Sequence, residues 1–143
     1  MSNGTGPKPA IVVSSCLLGV RCNHRGSASP SSKALRLADT FRVLPVCPET
    51  VGGLPTPRAA AERREGRVVA DDGTDVTDAY ARGAAATVEL ARASGAREAV
   101  LKARSPSCGC HQIYAAGRLV DGEGVTAEAL RAAGVRVRSE EDL

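Results

Sequence analysis

Two short runs near the N-terminus, AIVVSS (Ala10 to Ser15) and FRVLPV (Phe41 to Val46), are β-branched, almost wholly apolar and bounded by loop residues. Strands buried on both faces of a parallel sheet read this way, whereas half-exposed strands alternate. Between them SSKALRLADT has the pattern of a helix, with Ser31 or Ser32 as N-cap and Leu35, Leu37 and Ala38 as a short apolar face. RVVADDG (Arg67 to Gly73) predicts a weaker strand and a turn. Thr74 or Asp75 then caps a long Ala-rich helix that runs to about Ser94 and stops at Gly95. Further on come a strand near Ala99 to Lys102, a short strand or hairpin arm over Gly117 to Val120, a helix from Val125 to Ala133 ended by Gly134, and a last strand, Val135 to Arg138. Strands alternating with helices predict an α/β domain whose mainly parallel sheet is covered on both faces. Residues 1–9, dominated by Gly, Pro, Ser and Asn, read as a flexible tail, and residues 10–143 as the domain.

Composition narrows the class. With 143 residues, 43% hydrophobic and 24% charged, the chain has the make-up of one globular domain with a sizeable core. Its apolar runs are far shorter than the roughly 18–20 residues of a membrane span, and MSNGTGPKPA carries no apolar signal region, so the expected location is the cytoplasm. A net charge of +3 is compatible with an anionic partner and identifies none. Two Tyr, one Phe and no Trp leave too few stacking platforms for a module that grips extended single-stranded RNA by itself.

The five cysteines change the picture most. Their number is odd and they sit in Gly- and Pro-rich loops, which in a reducing compartment argues for thiolate chemistry over a disulfide framework. The densest donor stretch, ARSPSCGCHQ (residues 103–112), has Cys108, Cys110 and His111, yet its spacing fits no common zinc pattern. On the element plan Cys16 follows the first strand, Cys47 the second, and Cys108 lies in the loop after the strand near Ala99. Open parallel sheets bind ligands outside the carboxyl ends of their strands, so the three thiolates are expected to converge there. A lone cysteine at a strand end is more often a small core residue. Three such cysteines, each beside Gly or Pro and polar residues, favour a site. Three thiolates on a soft metal leave a fourth position open, as in a catalytic zinc site or a four-iron cluster, and the all-cysteine donor set leans toward the cluster.

CLLGVRC, LPVCPETVGGLPTPR, DVTDAYARGA, LKARSPSCG and GEGVTAEALRAAG, in that order, resemble the bacterial family of thiouracil desulfurases (TudS-like) over nearly all of Ile11 to Leu143. The resemblance implies a Rossmann-like three-layer domain and a [4Fe-4S] cluster held by Cys16, Cys47 and Cys108. The fourth iron would be free to take sulfur from a thiolated nucleobase or nucleoside. It also implies catalytic roles for Glu49, which would pass a proton, and Ser105, which would hold or polarise the base. The plainer alternative for Glu49 is a helix-start carboxylate bonded to backbone N–H groups. Two departures stand out. Relatives usually read Cys-Arg-Tyr-Asp-Gly where this chain has CNHRG, placing His24 and Arg25 where an aromatic and an acid are usual, and Cys110 stands where a small residue is common. Cys22 matches the family but exceeds the three-ligand count, and so is a structural thiol, a persulfide carrier or a ligand.

The implied reaction is cluster-assisted C–S cleavage with Glu49 as general acid or base. Two rival classes remain at this level: a sulfur carrier that docks on a tRNA or a sulfur-transfer partner, and a zinc-stabilised binding module without catalysis. His24 and His111 read as solvent-facing loop histidines. Arg58, Lys102 and Arg104 read as contacts for an anionic substrate, with ordinary surface charge an equal reading for Arg58. Gly52, Gly53, Pro55 and Pro57 read as a tight loop without the Lys-Ser/Thr ending of a phosphate-binding loop.

Overall fold

The computed structural model describes residues 7–143, so residues 1–6 of the expected tail lie outside it. Four parallel strands form the central sheet in the order β2-β1-β5-β8: β1 (Ala10–Ser14), β2 (Arg42–Val46), β5 (Glu98–Leu101) and β8 (Arg136–Ser139). β1 is buried along its whole length, which is why its sequence is a continuous apolar run. Val12 packs with Ala91, Leu130 and Val137 on one face, while Ile11 and Val13 pack with Leu17, Ala34 and Val100 on the other. The period of two in side-chain direction therefore feeds two separate cores. Helices α3 (Thr77–Ser94) and α4 (Val125–Ala132) cover the first face; α1 (Ser32–Leu35) lies over the second. This is the α/β architecture, with a mainly parallel sheet, that the alternation of elements predicts.

Local chemistry explains most boundaries. Ser31 caps α1, its hydroxyl accepting from Ala34 N–H at 3.1 Å. SSKALRLADT does not form one helix: after Leu35 it tightens into a 3-10 turn, Arg36–Asp39. The helix is short because its apolar face is short: Ala34 is buried, but Leu35 is 50% exposed and has no packing to extend it. α3 begins two residues later than Asp75, whose carboxylate accepts from Thr77 N–H at 2.9 Å, and ends at Gly95 in the left-handed region. Two strands are absent from the sequence reading, β3 (Ala61–Arg64) and β6 (Gln112–Ala115). Each pairs antiparallel with a predicted one, β3 with β4 (Arg67–Ala70) and β6 with β7 (Arg118–Asp121). The weaker strands thus build two hairpins outside the main sheet. Charged AERR has neither the apolar content nor a turn signal strong enough to reveal its pairing. No described helix is long and apolar enough to cross a membrane.

One close helix contact positions the site. α2 (Pro48–Val51) starts directly after Cys47 and lies against α3. A Cβ at Gly83 would stand 2.0 Å from the Pro48 carbonyl oxygen, and one at Gly52 the same distance from the Ala79 carbonyl oxygen. Backbone meets backbone on both sides, so neither helix can yield by turning a side chain. Gly83→Ala, though it improves intrinsic helix propensity, is expected to destabilise the fold by about 1–3 kcal/mol through overpacking. Urea unfolding measures this, and unchanged stability would show that the two helices separate freely.

Candidate active site

The chain leaves β1 for β2 on one side and reaches β5 on the other, so the carboxyl end of β1 is a point where strand order diverges and a crevice opens. A cavity of about 540 Å³ occupies it, lined by Cys16, Cys22, Cys47 and Cys108, together with Glu49, Arg58, Tyr80 and Ser105. Cys16 lies in the 3-10 turn Ser15–Leu18 that follows β1, and Cys47 is the N-cap residue of α2. Cys108 is held by a loop with its own scaffold. The Ser105 hydroxyl accepts from Ser107 N–H at 3.1 Å and from Cys108 N–H at 3.0 Å, and the Ser105 carbonyl accepts from Gly109 N–H at 2.8 Å. The far side of that loop docks on α4: the Pro106 carbonyl accepts from Val125 N–H at 3.0 Å and the Ser107 carbonyl from Thr126 N–H at 2.8 Å. These bonds satisfy the orphan donors of the helix start. Gly124 permits the approach, since a Cβ there would lie 2.4 Å from the Ser107 carbonyl.

All five cysteines are free thiols. Burial, reinforced by Cys47 nearby, pushes the Cys16 thiol up to about 11. Burial alone is the main cause for Cys108, raised to about 12, with smaller additions from Glu49, Cys16 and Cys47. Ser14 works the other way, its hydroxyl donating to Cys108 Sγ at 3.5 Å while accepting from Lys102 N–H at 2.9 Å. Cys22 is also raised, to about 12, by burial and then by Cys47. Cys47 Sγ accepts from Thr50 Oγ1 at 3.2 Å. Buried thiols that oppose each other's ionisation suit a cationic group that binds their thiolates. Among the described residues, however, these sulfurs do not form a group of three within 4.8 Å of one another. An all-thiol donor set gathered from three segments at one cavity fits an iron–sulfur group, which cysteine thiolates hold.

Glu49 is not the backbone-bonded helix-start carboxylate of the plainer reading. Its Oε2 accepts from Arg58 Nε at 3.0 Å and from the Tyr80 hydroxyl at 2.7 Å. Arg58, expected at least as readily on the surface, is the organising cation, with a side chain only 6% exposed. It also donates to the Cys22 carbonyl at 2.9 Å, and its own N–H bonds the His24 carbonyl at 2.8 Å, so it ties the Cys22–His24 loop to Glu49. Burial opposes its charge, but Glu49 beside it keeps its pKa raised. Burial and then Glu49 hold the Tyr80 hydroxyl protonated, as a donor.

His24, Arg25, Lys102 and Arg104 line the cavity as well. Lys102 and Arg104 are already paired, with Glu140 at 3.3 Å and with Glu141. His111 faces solvent as expected, and neither it nor Cys110 lines the cavity. Sequence reasoning missed Tyr80, Ser14 and the wall formed by Ala61, Glu62 and Tyr114 from the two hairpins. DVTDAYARGA contains Tyr80, and a tyrosine in an otherwise Ala-rich helix was the available signal.

Comparison with known proteins agrees with this layout. The sequence model of the 2-thiouracil desulfurase family matches residues 11–142. The chain is 41% identical over 146 residues to a Bacillus subtilis (strain 168) protein named uncharacterized protein YbbK, covering 93% of this chain and 97% of that one. It also superimposes on the solved structure of a [4Fe-4S]-dependent thiouracil desulfidase, TudS, with a TM-score of 0.89 and 43% identity, over 95% of this chain and 93% of the other. With a match that runs the length of the fold and through every segment lining the cavity, the chain belongs to the 2-thiouracil desulfurase family.

Proposed function

We propose that this protein is an iron–sulfur-dependent desulfurase, active in the cytoplasm, that removes sulfur from a thiolated nucleobase or nucleoside of the thiouracil type, with residues 10–143 acting as one unit. The observation that carries the reading is one cavity that combines three thiols from three strand ends with a carboxylate pinned by a buried arginine. The solved neighbour, a [4Fe-4S]-dependent thiouracil desulfidase, agrees with it. Cys16, Cys47 and Cys108 are the ligands in this reading. When bound, a [4Fe-4S] cluster with one iron free of protein ligands supplies a Lewis-acidic acceptor for sulfur.

The remaining chemistry falls to side chains. Glu49 has Oε2 committed to Arg58 and Tyr80, which leaves Oε1 to take a proton from an attacking water. Arg58 and Tyr80 fix the direction of that oxygen. Ser105 has two acceptor positions, both bonded to backbone N–H groups, so its own O–H is left to donate to a ring heteroatom of the base. The net reaction is a hydrolysis: water oxygen joins the carbon, the C–S bond breaks, sulfur leaves as hydrosulfide, and no electrons are exchanged.

Protein reconstituted anaerobically and incubated with 2-thiouracil is expected to release uracil and sulfide in equal amounts. An intact cluster without turnover would sink the desulfurase reading in favour of a sulfur carrier for a tRNA or protein partner. A colourless protein that takes up one zinc in place of iron would sink the cluster.

A further inference from the structure

On the far side of the Cys108 loop the fold assembles a second donor set that the desulfurase reading does not use. The ligand atoms of Cys110, His111 and Asp142 all lie within 4.8 Å of one another. Cys110 is buried at 3% exposure on the edge of the core, while His111 and Asp142 face solvent, so the set opens outward. His111 Nε2 and Asp142 Oδ2 are already 2.8 Å apart. From this geometry we infer that Cys110, His111 and Asp142 form a binding site for a single borderline-soft divalent cation of the zinc class, with water completing a tetrahedron.

The donor chemistry selects the ion. One thiolate, one imidazole and one carboxylate are the ligand types of zinc; calcium and magnesium require oxygen donors throughout. At bonds of about 2.0–2.3 Å, tetrahedral donors lie about 3.3–3.8 Å apart, so Cys110 and its two partners need to close by no more than about 1.5 Å while the His111–Asp142 pair opens by about 0.5 Å. Two of them are exposed side chains that can make that movement. The third is anchored: Cys110 O accepts from Arg131 Nη2 at 3.3 Å, and Arg131 is a residue of α4. The carboxylate is oriented from behind, because Oδ2 accepts from Ser139 N–H at 2.8 Å within a capping box. That bond holds the carboxylate beside His111 and Cys110. Outer hydrogen bonds of this kind hold metal ligands in place. Binding releases the Cys110 thiol proton to solvent, shifts the proton of the neutral His111 ring from Nε2 to Nδ1, and replaces the His111–Asp142 hydrogen bond by two metal bonds.

Position gives the site a consequence. The C-terminal turn Glu140–Asp142 already clasps the segment that carries Cys108: Glu140 accepts from Ala103 N–H at 2.8 Å, and Glu141 pairs with Arg104. An ion on Cys110, His111 and Asp142 adds a third clasp on the other side of Cys108. It stabilises the cluster loop without touching the cavity.

The test uses cluster-loaded protein, whose cavity thiolates are occupied. Dialysed against micromolar Zn²⁺, it is expected to retain one zinc per chain in addition to its iron, measured by elemental analysis. Cys110→Ser and His111→Ala are each expected to lose that zinc, with affinity reduced more than about 100-fold, the upper range for losing a mere outer-shell partner. Their iron content is expected to stay unchanged. Co²⁺ added to a Cys16→Ser/Cys47→Ser/Cys108→Ser variant is expected to give thiolate-to-cobalt absorbance that Cys110→Ser abolishes. Loaded protein that retains no zinc, or zinc that persists in both single variants, would overturn the site. Neither result bears on thiouracil turnover, so this inference and the desulfurase reading fail independently.

Discussion

Cys16→Ser, Cys47→Ser or Cys108→Ser is each expected to yield a folded protein that holds little or no iron and releases no detectable sulfide from 2-thiouracil. The side chains are nearly isosteric, and Cys16 and Cys108 sit on rigid backbone, so the fold tolerates the exchange. Serine's hard hydroxyl, which stays protonated, does not replace a soft thiolate. Cys22→Ser and Cys110→Ser are the controls. Cys22 is the demanding one, because its thiol lines the same cavity and is raised by Cys47 next to it. With three ligands at three strand ends, it is expected to keep full iron. Circular dichroism confirms folding, and iron and acid-labile sulfide are counted per chain. Full iron in any of the first three variants, or iron lost in Cys22→Ser, would reassign the ligand set.

Glu49→Gln is expected to keep its iron and lose turnover by about 10²- to 10⁴-fold, the usual contribution of a positioned acid or base. The amide retains an oxygen that can accept from Arg58 and Tyr80, so the loop and α2 remain in place. What disappears is the capacity to take a proton from water. A fall confined to kcat, with KM for 2-thiouracil little changed, separates this from a damaged pocket. Turnover at the normal rate would remove Glu49 from the mechanism and leave it as the counter-ion of Arg58.

Much of the fold was legible because local pattern and tertiary role coincide. AIVVS, five consecutive apolar or small residues bounded by a loop, reads as a buried strand, and it is an inner strand of the sheet. Gly95 and Gly134, both with positive φ, end their helices where the pattern does. The hairpins were only half legible: β4 and β7 were read, and their partners were not. AERR and QIYA are short and mixed in character, and they are strands only because β4 and β7 return beside them. Arg58 was misjudged for a similar reason: a charged side chain in a Pro-rich loop has the local signature of the surface, and only the arrival of Glu49, Tyr80 and the Cys22 carbonyl makes its burial favourable.

Alternation along the chain thus determined the class of fold and, by placing cysteines just beyond three strands, the location of the site. Strand ends in a parallel sheet share one edge, so sequence position becomes spatial position without further information. Tertiary structure alone decided the rest. It brought Tyr80 and Arg58 to one oxygen of Glu49, made Ser105 a clamp on the backbone of Cys108, and split the donor-rich stretch 105–111 between two faces. Cys108 faces the cavity and Cys110 the C-terminal turn, because those orientations follow from where β8 and α4 deliver Asp142 and Val125. Such long-range delivery leaves no mark on the local pattern.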